Sequence, residues 1–360
     1  MNIPVVNLKL VNHKAGAWLL YTLGGWLFGL AAIPAFAQQV PAITALTAPW
    51  PEIVKVEGIE IVHVRKDVYM LVGGGANVTV QIGDTGVTLV DAGSEGQADK
   101  IAAAVRHLTR KPMRYLVNTS ADADKVGGNA GIVKAAGGPN GLVGAAAGRP
   151  PNAGILTIAH GNASDRMIAG GPGLPALTGD AVPLSSFFTP KKSFYANGEA
   201  VEVRLQPHAH TDGDVFVFFR GSDVVSAGDI FRTDSYPVID AANGGTIQGE
   251  IDALNALVDL AIPERNQMGG TRVVPGHGRV CNQTDVVEYR DMVTIIRDRI
   301  RDLAKKDKTL EQVKAAQPTL EYDGLYASSD AVRDRFIETI YNQINQTNQI
   351  NQQPNNGKQK

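Results

Sequence analysis

The chain has a single cysteine, Cys281, in 360 residues. An internal disulfide is therefore excluded, and stability has to come from a packed core. A surplus of one charge is missing as well: 34 basic residues face 36 acidic ones, and no basic stripe is interleaved with aromatics. Nucleic acid is not expected as a partner. Histidine is scarce, with 7 in the whole chain, and long uncharged apolar runs are absent after the N-terminus. Gly73-Gly74-Gly75 lacks the Gly-Lys-Ser/Thr ending of a phosphate loop and reads as a turn.

At the N-terminus, Lys9 and Lys14 precede an uncharged run from Ala15 to Ala37 that ends in Ala35-Phe36-Ala37. This charged, apolar, small-residue order is that of a secretory signal peptide. Residues 1–37 are expected to be removed, giving a periplasmic or secreted protein with no membrane contact after cleavage. The alternative is a retained anchor, because about 20 apolar residues can span a bilayer. The remaining stretch of about 320 residues can bury a large core. From Asn342 to Lys360 the chain is rich in Asn and Gln, with only Ile344 and Ile350 apolar. A disordered tail is expected there.

Between these ends, short β-branched runs are followed by helical periodicity, and the order occurs twice. Ile59–Val64, Val68–Val72, Val78–Ile82 and Val87–Val90 read as strands, and Ala98–Leu108 as an amphipathic helix. In the second half Ala200–Leu205, Val215–Phe219, Val224–Ser226 and Thr271–Val274 read as strands around a helix near Gly249–Leu260. Tyr289, Val293, Ile296, Ile300 and Leu303 mark one face of a helix over Asp285–Lys306. Two β-rich halves with outer helices predict an α/β four-layer αββα sandwich over residues 38–341, with a C-terminal helical extension from about residue 283.

The most informative segment is Thr119–Asn129, Thr-Ser-Ala-Asp-Ala-Asp-Lys-Val-Gly-Gly-Asn. It resembles the ligand loop Thr-His-x-His-x-Asp-His-x-Gly-Gly-Asn of the metallo-β-lactamase superfamily, with its histidines replaced. Four further elements follow the family's order. Thr88–Gly93 is similar to its Asp-x-Gly strand, and His208-Ala-His210-Thr-Asp-Gly213-Asp to its third ligand segment. Val224–Phe231 ends in Asp229 at the position of the bridging carboxylate, and Val273–Gly278 supplies His277.

The resemblance implies a hydrolase that activates water on zinc, since a bound metal lowers the pKa of water to about 7. The family's first metal would lie among Ser120, Asp122 and His210, and its second among Asp124, Lys125 and His277, with Asp229 bridging. Ser120, Asp122 and Lys125 are substituted ligand positions. A serine hydroxyl is a poor zinc ligand, and an ammonium cannot bind a metal while protonated. A full dinuclear zinc site is therefore not expected. The remaining set Asp122, Asp124, His210, Asp229 and His277 leaves room for one divalent metal, zinc or the harder Mn²⁺ or Mg²⁺. The resemblance would also place the carboxylates of Asp122, Asp124 and Asp229 around one pocket, with Lys125 expected as a built-in cation that compensates them.

Structural roles compete with these. Asp124 reads equally as the N-cap of a helix beginning near Val126, and Asp91 and Asp229 as turn residues binding backbone amides. His210 and His277 serve packing in that reading. His63, His107, His160 and His208 read as isolated surface or packing residues, and Cys281 as a small buried apolar one. Two functions follow. One is an exported hydrolase of ester, thioester or lactam bonds using at most one metal, with Asp124 handling the proton. The other is an inactive relative of such enzymes that binds a small molecule or a partner.

Overall fold

Residues 53–140, 153–171 and 173–352 are described in a computed structural model. The expected signal peptide lies outside them. The first half of the chain builds an eight-stranded sheet in simple sequence order. Its strands are β1 (Val54–Val56), β2 (Ile59–Arg65), β3 (Val68–Val72), β4 (Val78–Gly83), β5 (Gly86–Val90), β6 (Met113–Val117), β7 (Leu156–His160) and β8 (Ser185–Phe187). Hairpins keep β1 to β5 antiparallel, whereas β5 to β8 pair in parallel. The parallel stretch needs crossovers: α1 (Ala98–Leu108) precedes β6, and α2 (Ala123–Val126) and α3 (Asn129–Ala135) follow it. α4 (Gly161–Ala169) leaves the end of β7. Every residue of β5 is buried, as expected for a strand covered on both faces.

The second sheet holds β9 (Lys191–Ala196), β10 (Glu199–Gln206), β11 (Asp214–Phe219), β12 (Val224–Ser226) and β13 (Arg272–Val274), in the order β13-β12-β11-β10-β9. Its pairs are antiparallel except β12 with β13, where α5 (Ile247–Leu260) makes the crossover. After β13 come α6 (Gln283–Ala304), α7 (Leu310–Ala315), α8 (Asp323–Tyr326) and α9 (Asp330–Gln352). α6 starts at a capping box in which Asn282 and Asp285 satisfy each other's backbone amides. Its apolar stripe Val286, Tyr289, Val293, Ile296 and Ile300 is buried, and each such side chain contributes about 1.5–3 kcal/mol.

Three apolar layers separate the four structural ones. Ile101 and Val133 pack on Ile59 and Leu116 outside the first sheet, and Val90, Val117, Val203 and Val217 fill the space between the sheets. Leu254, Tyr289 and Ile337 cover Phe216 on the outer face of the second. The result is the αββα sandwich.

Two expectations are corrected. The chain after Asn342 is helical as far as Gln352, not a disordered tail; residues 353–360 lie outside the described part. Burial of Ile340 holds the helix, as does the Gln343 side chain, which accepts from the Ile247 amide at 2.8 Å and donates to the Gly245 carbonyl at 3.1 Å. The N-cap position before Ala123–Val126 belongs to Asp122, not Asp124, and the Asp122 side chain makes no capping bond there.

Candidate functional site

The loops that leave β6, β10, β12 and β13 converge at one end of the two sheets. Asp91, just past β5, anchors the first of them: its carboxylate accepts the Thr119 amide at 2.8 Å and the Thr119 hydroxyl at 2.7 Å. Burial pushes the Asp91 carboxyl up to about 7, against the nearby Lys125 charge. The turn Gly228–Ile230 presents Asp229, and Pro275-Gly276-His277 comes up beside it. Gly276 is needed for that approach, because a Cβ there would lie 2.4 Å from an Asp229 carboxylate oxygen and 2.7 Å from the Gly228 carbonyl.

Lys125 is 0% exposed. Its Nζ lies 2.9 Å from Asp229, 3.3 Å from His277 Nε2 and 3.4 Å from both oxygens of Asp124. Burial alone would strip its proton, but Asp229, Asp124 and Asp91 outweigh that and hold it as an ammonium. The same attraction works in reverse: burial would raise Asp229, yet Lys125, His210, Arg232 and His277 keep it far below the usual carboxylate range. Burial also opposes the charge of Asp124, and the His277 bond and Lys125 keep it ionised. His277 Nε2 lies 2.9 Å from Asp124, and these two side chains reach solvent, at 20% and 32% exposure.

The other side of Asp229 is arranged differently. Ser120 is buried with its hydroxyl bonded to the Asp122 carboxylate. His210 Nδ1 faces Asp214 at 3.3 Å and Asp122 at 3.7 Å. Asp214 also accepts the Thr211 amide and hydroxyl, which fixes its orientation. Although burial disfavours the imidazolium, Asp214, Asp122 and Asp229 together raise the His210 pKa to about 10. Behind it lies Glu250 of α5, 0% exposed, with no hydrogen-bond partner for either carboxyl oxygen among the described residues. Burial raises its pKa well above the carboxylate range, so it stays a neutral acid.

These distances decide whether the family's metals fit. Among the described residues, the one group of metal-binding side chains whose ligand atoms come within 4.8 Å of one another is Asp124, Asp229 and His277. Lys125 Nζ is within hydrogen-bonding distance of all three. An ammionium and a divalent cation in that space would repel at a few ångströms. At the first position the Ser120 hydroxyl, a poor ligand in itself, is tied to the Asp122 carboxylate. The donor set does not fit a dinuclear zinc centre.

Of the residues singled out in the sequence, Asp124, Lys125, Asp229 and His277 come together around the ammonium, and Ser120, Asp122 and His210 form the adjoining group. His160, by contrast, caps α4 and packs on Phe187, His63 bonds the Lys66 carbonyl and packs on Tyr69, and His208 bonds the Gly244 carbonyl. Sequence reasoning missed Asp214 and Glu250. Asp214 stood in the quoted segment four residues after His210, but that spacing pairs side chains only on a helix, and here the chain bends into β11, so the sequence carried no signal for the contact. Glu250 gave no signal, since a glutamate near a helix start reads as solvated. Beside Asp122 a cavity of about 240 Å³ is bounded by Arg166, Leu174, Thr211, Asp240 and Asn243. Asp212 holds the Arg166 guanidinium in place at 2.9 Å.

Comparisons with known proteins agree with this geometry at the level of fold. The stereoselective inverting sec-alkylsulfatase Pisa1 from Pseudomonas sp. superposes with a TM-score of 0.55 at 16% identity, over 79% of this chain and 50% of that one. A double mutant of the same enzyme gives 0.58 at 16% identity with the same coverage. A metallo-beta-lactamase from Pontibacter korlensis is matched over 66% of this chain and 99% of its own, at 15% identity and a TM-score of 0.46. The chain thus spans about half the length of the alkylsulfatase. No curated protein matches it. The family model described as metallo-beta-lactamase superfamily matches residues 71–277, more than half of the chain, and the protein belongs to that superfamily.

Proposed function

We propose that this chain uses the hydrolase scaffold of its superfamily without the two-zinc chemistry, as a binding protein for a small molecule taken up in the cleft beside Asp122. The observation that carries the reading is the Lys125 ammonium bonded to Asp229, Asp124 and His277. A fixed internal cation already neutralises the carboxylates that would hold a metal, and no step of hydrolysis can be routed through an ion in that space. Asp124 and His277 are the pair in this cluster that reaches solvent, and Asp124 is the group placed to handle a proton. The pattern around Lys9, Lys14 and Ala35-Phe36-Ala37 supports export to the periplasm or beyond.

Hydrolysis with one metal is the second reading. It is favoured by Asp122 facing His210 at 3.7 Å with Asp229 close by, and it requires His210 to give up its proton. Elemental analysis of the purified whole chain separates the two. The binding reading expects no stoichiometric transition metal, whereas one tightly held ion with esterase activity lost on His210→Ala supports the second. Two zinc ions per chain overturn both. A gain-of-function variant tests the frame itself: Ser120→His, Asp122→His and Lys125→His together are expected to bind two zinc ions. If that variant folds and binds none, the loops are not related to metal positions as the family pattern implies.

A further inference from the structure

A second cavity lies away from the cleft, between the second half of α6, the start of α5 and the second half of α9, with a volume of about 540 Å³. Cavities of roughly 300–1,000 Å³ are the size that takes small ligands. Three cations border it, Arg297, Arg301 and Lys305, and no carboxylate does. Their spacing of four residues puts them on one face of α6. Arg297 and Arg301 share a single partner carboxylate, Asp298, at 2.7 Å and 3.0 Å. Lys305 is exposed and has no ion-pair partner among the described residues. A solvated helix face would balance its charges; here three cations answer to one carboxylate. The rest of the lining is mixed: the half-buried Ile344 is its main apolar side chain, beside Thr246, Gln248 and Thr347, and Gln343 ties α9 to the start of α5 across the floor.

We propose that this groove binds a small amphipathic carboxylate, with its head group on Arg301 and Lys305 and its aliphatic part along Ile344. A guanidinium fork and an ammonium match a carboxylate, and the apolar surface at Ile344 rewards a chain that a bare inorganic anion lacks.

Calorimetric titration of the whole chain with decanoate tests this, with acetate and decylammonium as comparisons. Decanoate is expected to bind at least about tenfold more tightly than either, since acetate lacks the chain and decylammonium has the wrong charge. Arg301→Gln with Lys305→Gln is expected to weaken decanoate about tenfold or more. The exposed single change Lys305→Gln keeps the Arg301–Asp298 pair and so serves even if the double variant fails to fold; it too is expected to weaken decanoate severalfold. Equal decanoate affinity in the parent and in Lys305→Gln overturns the proposal. So does decylammonium binding as tightly as decanoate, which marks a merely apolar surface, or acetate doing so, which marks a merely cationic one.

Discussion

The two sides of Asp229 meet the same electrostatic demand by different means. On one side a lysine side chain, wholly buried, supplies a cation that does not titrate near neutrality. On the other, a histidine supplies one only because Asp214, Asp122 and Asp229 keep it protonated against its burial. The lysine side already holds its cation, a buried ammonium bonded to Asp229. The histidine side depends on its neighbours, and one of them, Asp214, does most to hold its proton. The difference shows two ways in which a chain can balance the carboxylates of one pocket: a fixed ammonium, or an imidazole whose charge its neighbours hold in place.

Breaking the lysine side is expected to have the largest effect. Lys125→Ala leaves Asp229 and Asp124 without their closest cation, and removing one partner of a buried pair costs about 3–5 kcal/mol. Urea unfolding measures the loss, and added Mn²⁺ or Zn²⁺ is expected to restore part of it. A variant that unfolds like the parent, with or without metal, contradicts the arrangement. Lys125→Met keeps the volume and removes the charge, so a similar loss assigns the effect to charge and not to a cavity.

Asp214→Asn comes next, at roughly 1.5–3 kcal/mol for a lost charge-assisted bond. It also changes the pH response. With a folded pKa near 10 above an ordinary value of 6.5, His210 stabilises the fold fully below pH 6.5, and that contribution fades as pH rises towards 10. Nuclear magnetic resonance should find the His210 ring protonated at pH 8 in the parent and neutral in Asp214→Asn. Unchanged titration refutes the pairing.

A gain in stability at pH 7 is expected for Glu250→Gln. The folded state holds a proton on Glu250 well above 4.5, where the unfolded chain releases it, so stability falls as pH rises through that range. Glutamine removes this slope, and the advantage of the variant should be larger at pH 9 than at pH 6 in parallel urea curves. The smallest effect belongs to Ser120→Ala, about 0.5–1 kcal/mol for one hydrogen bond to Asp122. A loss as large as that of Lys125→Ala would show that the histidine side is the tighter of the two.

Much of the fold was legible because strand periodicity and glycine spacing are local. The runs Val68–Val72 and Val224–Ser226 and the helix Ala98–Leu108 have the expected limits. Lys191–Ala196 escaped notice, because an edge strand with two lysines and alternate exposure carries little apolar signal. The tail escaped because Asn and Gln look disordered until a particular glutamine, Gln343, is seen to bond the start of a distant helix. In the site, the substituted loop positions could be read from Thr119–Asn129 alone. The protonation of His210 and the isolation of Glu250 could not, since both depend on which carboxylates and apolar groups lie opposite in space.

The bonds around Lys125 also join parts of the chain that are far apart. Lys125 and Asp229 are separated by 104 residues, and Asp124 and His277 by 153. Closing loops of that length is slow, and such contacts tend to form after the main folding barrier is crossed. A contact made late slows escape from the native state more than it speeds arrival. The cluster therefore acts as a clasp between the two halves of the sandwich. In stopped-flow experiments Lys125→Ala is expected to raise the unfolding rate while leaving refolding nearly unchanged, so the lysine's contribution is measured in the lifetime of the folded protein.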